Sequence, residues 1–277
     1  MLLAQLEREP VLGFRDGIEN VWIRFFVGGR QVAGRLTADK GRASTFCDLS
    51  PAVGAEFEAS AVVDGRTVRM TGSIFDWRDD LTIIAVDVDG TVSDTDFDDL
   101  VFDDEDGDST PILNSREALH ALSNDFHIVY LTGRPRFLLE KTRTWLTERG
   151  FPPGPVIAAG GLRDFLRQGD FKRETLATLR QCWPNLLIGI GDKHRDAVAY
   201  RANGMLPVIV TAKNVAQKRR TWQAAVLPTW EDVSRFFAAN RRLLSNPRTL
   251  ADRIDSHRIP GAMLNPADAS PDATEER

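Results

Sequence analysis

A chain of 277 residues that is 42% hydrophobic and 27% charged is long enough for one large core, or for a medium core and a small one, and is too apolar to be disordered throughout. Thirty-five Lys and Arg against forty Asp and Glu leave a net charge of −5, which excludes a molecule built as a whole to bind polyanions or polycations. The longest apolar runs, such as 81–86 and 186–190, are far shorter than the roughly 20 residues of a membrane-spanning helix. The opening MLLAQLEREP lacks the basic start and long apolar stretch of a secretion signal, so a cytoplasmic location is expected. Cys47 and Cys182 stand far apart and outside any Cys/His cluster; neither a disulfide framework nor a zinc site is expected, and both read as small core hydrophobes.

In chain order, VWIRFFV, RQVAGRL, RASTFCDL, EFEASAVV and RTVRMTGSIF are rich in Val, Ile, Phe and Thr with partial alternation, the pattern of half-buried strands. Between them VGGR, ADKG and VDGR supply Gly and Asp where hairpin turns need positive φ. Residues 1–78 are therefore expected to form a small β-sandwich. From Leu81 the pattern changes to apolar runs alternating with helical segments: LTIIAVDVDG, a helix near 115–122, HIVYLTGR, a helix near 135–149, PVIAAG, a helix near 171–182, LLIGIGD, a helix near 196–203, and PVIVTA. Uniformly apolar strands alternating with helices predict a doubly wound α/β domain whose parallel sheet is covered on both faces, over residues 79–245. The Pro-, Asp- and Ser-rich end, 246–277, is expected to be a disordered tail.

The segment from Asp94 to Asp108 carries nine acidic residues. Its ligand order does not fit an EF-hand loop, so a solvated acidic loop is expected. The chemistry gathers at strand ends, where open parallel sheets collect functional groups. The first α/β strand ends in Asp87-Val88-Asp89-Gly90-Thr91. Two carboxylates there would be costly without a cation, and oxygen donors with no His or Cys nearby favour Mg²⁺. The second strand ends in Thr132-Gly133-Arg134, a hydroxyl and backbone amides suited to an anion. A later strand runs into Gly191-Asp192-Lys193-His194-Arg195-Asp196, and Lys172 opens a helical segment twenty residues earlier.

These four segments, in this order, resemble the motifs of the haloacid dehalogenase (HAD) phosphatases. The resemblance implies Asp87 as nucleophile and Asp89 as general acid/base. It also implies Thr132 and Lys172 as catalytic contacts to the phosphoryl group, with Gly90, Thr91, Gly133 and Arg134 completing the substrate-binding set. Mg²⁺ would be held by Asp87, Asp192 and the Asp89 carbonyl, with Asp196 supporting the metal shell. The intervals GPVI, FKRETL and GDKHRDAVAY are similar to the catalytic domain of lipins and to lipin-like domains of phosphatidylinositol-transfer proteins. That likeness implies a phosphatidate-type substrate, a HAD-like sheet without a large cap, and an accompanying β-sandwich. Asp192 departs from the Asn usual in lipins, and the LTGR of the second motif departs from their Ser/Ala-type sequence.

About forty residues separate Asp89 from Thr132, and about forty separate Thr132 from Lys172, too few for a cap domain beyond the core elements. An open site suits a phosphorylated substrate carried on something large. Residues 201–260 hold eleven Arg and Lys against four Asp and Glu, which makes a membrane surface a candidate partner, with Lys218, Arg219 and Arg220 as the most concentrated cluster. Nucleic acid is not favoured. Two other readings remain open: an open-site phosphatase acting on a nucleic-acid 3′-phosphate, a phosphoprotein or a small phosphate, and a lipin-like module that binds lipid without turnover.

Overall fold

The structure is a computed structural model that describes residues 2–7, 17–46, 56–75, 77, 79–94, 109–135, 138–159 and 168–255. The acidic segment expected over 94–108, apart from Asp94, and Cys47 lie outside the described residues. The chain divides into two compact units, Met1–Asp76 and Trp77–Arg277.

Among the described residues the first unit has six strands: β1 (Leu2–Gln5), β2 (Trp22–Val27), β3 (Arg30–Leu36), β4 (Arg42–Thr45), β5 (Glu56–Val63) and β6 (Arg66–Ser73). Four form an antiparallel sheet in the order β3-β2-β5-β6, and β1 pairs with β4. Its two-residue turns place Gly28-Gly29 at φ 56° and 75° and Asp64-Gly65 at φ 49° and 76°, the positive-φ pairs expected of hairpins that follow strand twist. Alternation sends Ile23, Phe25 and Val27 of β2 and Phe57, Ala59 and Ala61 of β5 into one core with Leu2, Ala4 and Ala43 of the smaller sheet. Across the ladder Phe25 sits opposite Ala59 and Phe57 opposite Val27.

The second unit is a six-stranded sheet, wholly parallel, in the order β12-β11-β10-β7-β8-β9. Its elements are β7 (Ile83–Asp87), α1 (Ser115–Ser123), β8 (His127–Pro135), α2 (Leu139–Glu148), β9 (Val156–Ala159), α3 (Gln168–Cys182), β10 (Leu186–Gly191), α4 (His194–Ala202), β11 (Leu206–Val210), α5 (Val215–Trp222), β12 (Ala225–Leu227), α6 (Trp230–Leu244) and α7 (Pro247–Asp255). All five residues of β7 are buried because helices cover both faces: Ile84 and Val86 pack with Leu119, Trp230 and Phe237, whereas Ile83 and Ala85 pack with Leu176 and Tyr200. This is the doubly wound arrangement that the alternating pattern predicts. The described residues between β7 and β8 contribute α1 and a short stem in which Asp94 N–H donates to Thr110 O and Ile112 N–H to Val92 O.

Four features differ from the expectations. The tail does not begin at 246: Pro247 opens α7, the Asn246 side chain accepts from Thr249 N–H, and fully buried Leu250, with Ala251 and Ile254, packs into the main core. Pro at a first helical position and an apolar i, i+4 face supply the physical reason. The helix expected from residue 135 starts later, because β8 runs on through Pro135. Strand β12 and helix α5 complete the sheet's far edge, where no element was expected. Cys182 is exposed rather than in the core. None of the helices among the described residues is long and apolar enough to cross a membrane.

Candidate active site at the carboxyl end of the sheet

The chain reverses its winding direction at β7, with β8 on one side and β10 on the other, and helix connections leave a crevice beyond the carboxyl ends of strands at such a point. β7 delivers Asp87 there, β10 delivers Asp192 one residue past its end, and the first turn of α4 delivers Asp196. One carboxylate oxygen from each of Asp87, Asp192 and Asp196 lies within 4.8 Å of the others. Lys172, on α3, is buried with them. Its Nζ donates to Asp196 Oδ1 at 2.6 Å and lies 2.9 Å from Asp87 Oδ2.

Three acids around one ammonium leave an excess of negative charge in a place with little water. Burial lifts the Asp87 carboxyl from 3.8 to about 7; Lys172 pulls it down, and the charges on Asp196 and Asp89 push it up. Burial likewise raises Asp192 to about 6, with Lys193 partly offsetting it. For Asp196, burial pushes upward, but Lys172, the Lys193 backbone N–H and Arg195 together outweigh it, and the net shift is downward. Burial alone would lower Lys172, yet the Asp87 and Asp196 carboxylates hold it above its ordinary range, so it stays charged. An all-oxygen donor set with surplus negative charge fits a hard divalent cation. Asp87, Asp192 and Asp196 are the side chains that would hold one.

Asp89 belongs to a different group. Its carboxylate leans toward β8, where Thr132 Oγ1 donates to Oδ2 at 2.9 Å, Arg134 Nε donates to Oδ1 at 2.7 Å, and an Arg134 terminal nitrogen lies 2.6 Å from the same Oδ1. The Asp89 side chain is therefore neutralised by Arg134, and the metal contact expected of this residue is left to its backbone carbonyl. Arg134 was expected to meet substrate. It is instead almost wholly buried, with Nη1 donating to Thr142 Oγ1 at 3.3 Å and its backbone N–H donating to Thr132 Oγ1 at 3.0 Å.

The turn between the two groups is shaped by Gly90 at φ 75°, where a Cβ would stand 2.7 Å from Asp192 Oδ2. Gly90 N–H donates to Ser93 O, and Thr91 N–H to Val88 O. Those amides close the turn, so Gly90 and Thr91, expected to contact substrate, shape the loop. The buried Thr91 hydroxyl donates to Asp192 Oδ1 at 3.4 Å, and its carbonyl accepts from Trp230 Nε1 at 2.9 Å. Gly133 lies in β8 between Thr132 and Arg134.

At the rim, Lys193 Nζ is 4.0 Å from Asp192 Oδ2, and exposed His194 rests on the Trp222 ring. The basic cluster of α5 is partly engaged within the fold: Lys218 donates to Thr211 Oγ1 and sits over Trp222, and Arg219 donates to Val226 O. Two contributors escape a reading of the chain alone. Thr142 is one polar position on α2 with no motif around it, and Trp230 lies inside the Thr229–Asp232 capping box of α6, which signals a helix start and says nothing of the loop it braces. Tyr200 is visible as part of the GDKHRDAVAY pattern; its ring fills the space beside Gly189, and its hydroxyl donates to Ile190 O beneath the site.

No match is found among curated proteins. The sequence model of the LNS2 (Lipin/Ned1/Smp2) family matches residues 54–218, a span that runs from β5 into the first half of α5 and so holds every acid of the site together with Lys172 and Arg134. With a parallel sheet flanked by helices and its acids at the carboxyl edge, the chain belongs to the LNS2 family and has a HAD-like phosphatase fold.

Proposed function

We propose that the protein is a Mg²⁺-dependent phosphatase that hydrolyses a phosphate monoester through an aspartyl-phosphate on Asp87, with a phospholipid monoester such as phosphatidic acid as substrate. The observation that carries this reading is Asp87 itself, a buried carboxylate at the sheet's switch point held against Lys172 and two further acids. An Asp87 oxygen attacks phosphorus as the ester P–O bond breaks, and the leaving oxygen takes a proton from Asp89. Water then attacks the phosphorus of the aspartyl-phosphate, gives its proton to Asp89, and releases inorganic phosphate with Asp87 restored. Lys172 keeps its charge while buried, and so offsets repulsion between an anionic nucleophile and an anionic ester. Bound at Asp87, Asp192 and Asp196, Mg²⁺ would supply charge neutralisation to the transferring phosphoryl group.

The lipid preference rests on the family match and on a site whose described connections include no covering domain. Phosphate release from phosphatidic acid in mixed micelles, from a 3′-phosphorylated oligonucleotide and from small phosphates, with Mg²⁺ and with EDTA, tests both levels. Turnover that needs Mg²⁺ and favours phosphatidic acid is expected. Turnover favouring another ester would overturn the substrate alone, and no turnover with any of them would overturn the phosphatase reading in favour of a binding module.

A further inference from the structure

We infer that Arg134 is the positioning residue of the proton-transfer step: it anchors Asp89 by one oxygen, Oδ1, and thereby leaves the other, Oδ2, to carry the proton. This rests on the phosphatase reading above and adds to it an atom-level division of labour that the motifs do not contain.

The geometry is asymmetric. Both guanidinium contacts, from Nε at 2.7 Å and from a terminal nitrogen at 2.6 Å, fall on Oδ1. Oδ2 meets a hydroxyl, Thr132 Oγ1, at 2.9 Å. A guanidinium only donates, so Oδ1 beside it remains an acceptor in every state. A hydroxyl donates or accepts by rotating its hydrogen, so Oδ2 can be bare or protonated without losing its neighbour. The Thr132 oxygen is itself fixed, because Arg134 N–H donates to it at 3.0 Å. Arg134 thus controls both ends of the carboxylate, one through its side chain and the other through its backbone.

The guanidinium is in turn braced. Nη1 donates to Thr142 Oγ1, and that hydroxyl donates to Leu138 O at the start of α2. Arg134 and Thr142 are both buried, so the chain α2–Arg134–Asp89 has little freedom to swing. A carboxylate held within a fraction of an ångström of its working position is what a residue needs if it must first give a proton to the leaving oxygen and then take one from water.

The test is a double-mutant cycle of Asp89→Asn and Arg134→Gln in the full-length protein, read on two esters: an aryl phosphate, whose phenolate leaves readily, and an alkyl phosphate, whose alkoxide needs the proton. Arg134→Gln is expected to lower kcat on the alkyl ester by about 10²-fold, the usual worth of a positioned general acid, to lower it by less than about tenfold on the aryl ester, and to leave KM nearly unchanged on both. The double variant should lose no more than Asp89→Asn alone, because Arg134 acts only through Asp89. Equal losses on the two esters, or losses that multiply in the double variant, would overturn the proposal. Near-UV circular dichroism checks the fold; if Arg134→Gln does not fold, Thr142→Val takes its place, with a severalfold loss of kcat expected on the alkyl ester alone. An activity-independent arm uses the Arg134 Nε–H resonance, expected to be protected in the wild type and lost in Asp89→Asn, and its absence from the wild type overturns the anchor. The alkyl ester is phosphatidic acid itself if the small alkyl phosphate is not a substrate, and wild-type protein that turns over none of the esters would overturn the phosphatase reading and this role with it.

Discussion

Two aspartates two residues apart at the end of β7 are neutralised in opposite ways. Asp89 is closed: one carboxylate, one buried guanidinium, and a hydroxyl on the remaining oxygen. Asp87 is open-ended, because it shares the single ammonium of Lys172 with Asp196 while Asp192 stands alongside. Burial raises the carboxyls of Asp87 and Asp192 to about 7 and about 6, the mark of charge that the protein alone does not balance. The contrast teaches where a cation belongs. A metal ion on the Asp89 side would have to displace Arg134, whereas on the Asp87 side it supplies what is lacking.

The largest effect expected from this asymmetry is on turnover. Asp87→Asn removes the proposed nucleophile and should cut kcat by roughly 10⁴-fold or more, on the scale seen when a covalent nucleophile is deleted. Without metal, the same substitution removes one surplus charge and should leave the melting temperature at pH 8 unchanged or higher. Activity within tenfold of the wild type would break the assignment, and a large drop in metal-free stability would break the picture of surplus charge.

Next in size is removal of each side's cation. Lys172→Met strands Asp196, which is fully buried, beside Asp87, and breaking a buried pair in this way costs about 3–5 kcal/mol. Mg²⁺ should recover part of that loss. Arg134→Met strands Asp89 at similar cost, and Mg²⁺ should recover little of it. Thermal denaturation of both variants with and without Mg²⁺ measures the difference; equal recovery would mean that the two aspartates are not separate groups.

Smaller is the pH dependence of metal stabilisation. Because Asp87 and Asp192 titrate higher in the folded protein than the 3.8 of a free aspartate, their protonated forms favour folding. That contribution is full below about pH 4 and is lost as pH rises through about 6 and about 7, so the metal-free protein should weaken over that window. Metal binding needs both groups ionised. The rise in melting temperature with Mg²⁺ should therefore be slight at pH 5 and reach about 5–10 °C at pH 8 with the ion near a hundredfold over Kd. An increment that does not change between pH 5 and 8 would show that these carboxylates are not the ligands.

The extent to which this was legible in the sequence follows from the same contrast. Asp87 and Asp192 can be picked out because a parallel sheet brings strand ends to one edge, Asp196 because it follows four residues later at a helix start, and Lys172, inside α3, only through the resemblance of the four motifs taken together. The inward turn of Arg134 cannot be read that way. Thr-Gly-Arg after a strand reads as an anion-binding loop, and only the burial of Arg134 beneath α2 shows that its anion is Asp89. In the same way, NPRTLADRI looks polar as a string, yet Leu250 is fully buried in the core; a helix of one apolar face is invisible to composition and visible to a period of 3.6. In the first unit, turn chemistry set the hairpins, whereas the pairing of β1 with β4 depends on a contact between residues some forty apart that no local pattern announces.

Gly90 separates the two groups, and its substitution should give the smallest and most selective effect. Its φ of 75° lies in the left-handed region, where an Ala costs about 1–2 kcal/mol. The added methyl would also stand 2.7 Å from Asp192 Oδ2, the far end of a partly exposed side chain that can swing aside at little steric cost. Swinging aside, however, takes a proposed ligand out of the acid cluster and loosens the bond from Thr91 Oγ1. Disturbing a supporting contact of a ligand typically weakens metal affinity by about 10–100-fold, and the lower end is expected for Gly90→Ala because Asp87 and Asp196 keep their places. Asp89 lies on the other side of the turn, its carboxylate held by β8 residues that the methyl does not approach, so the Arg134 Nε–H resonance should not move. Calorimetry of Mg²⁺ binding beside that spectrum reads both consequences in one variant. An unchanged Mg²⁺ affinity would remove Asp192 from the metal set, and a shifted Arg134 signal would show that the two aspartates act as one group.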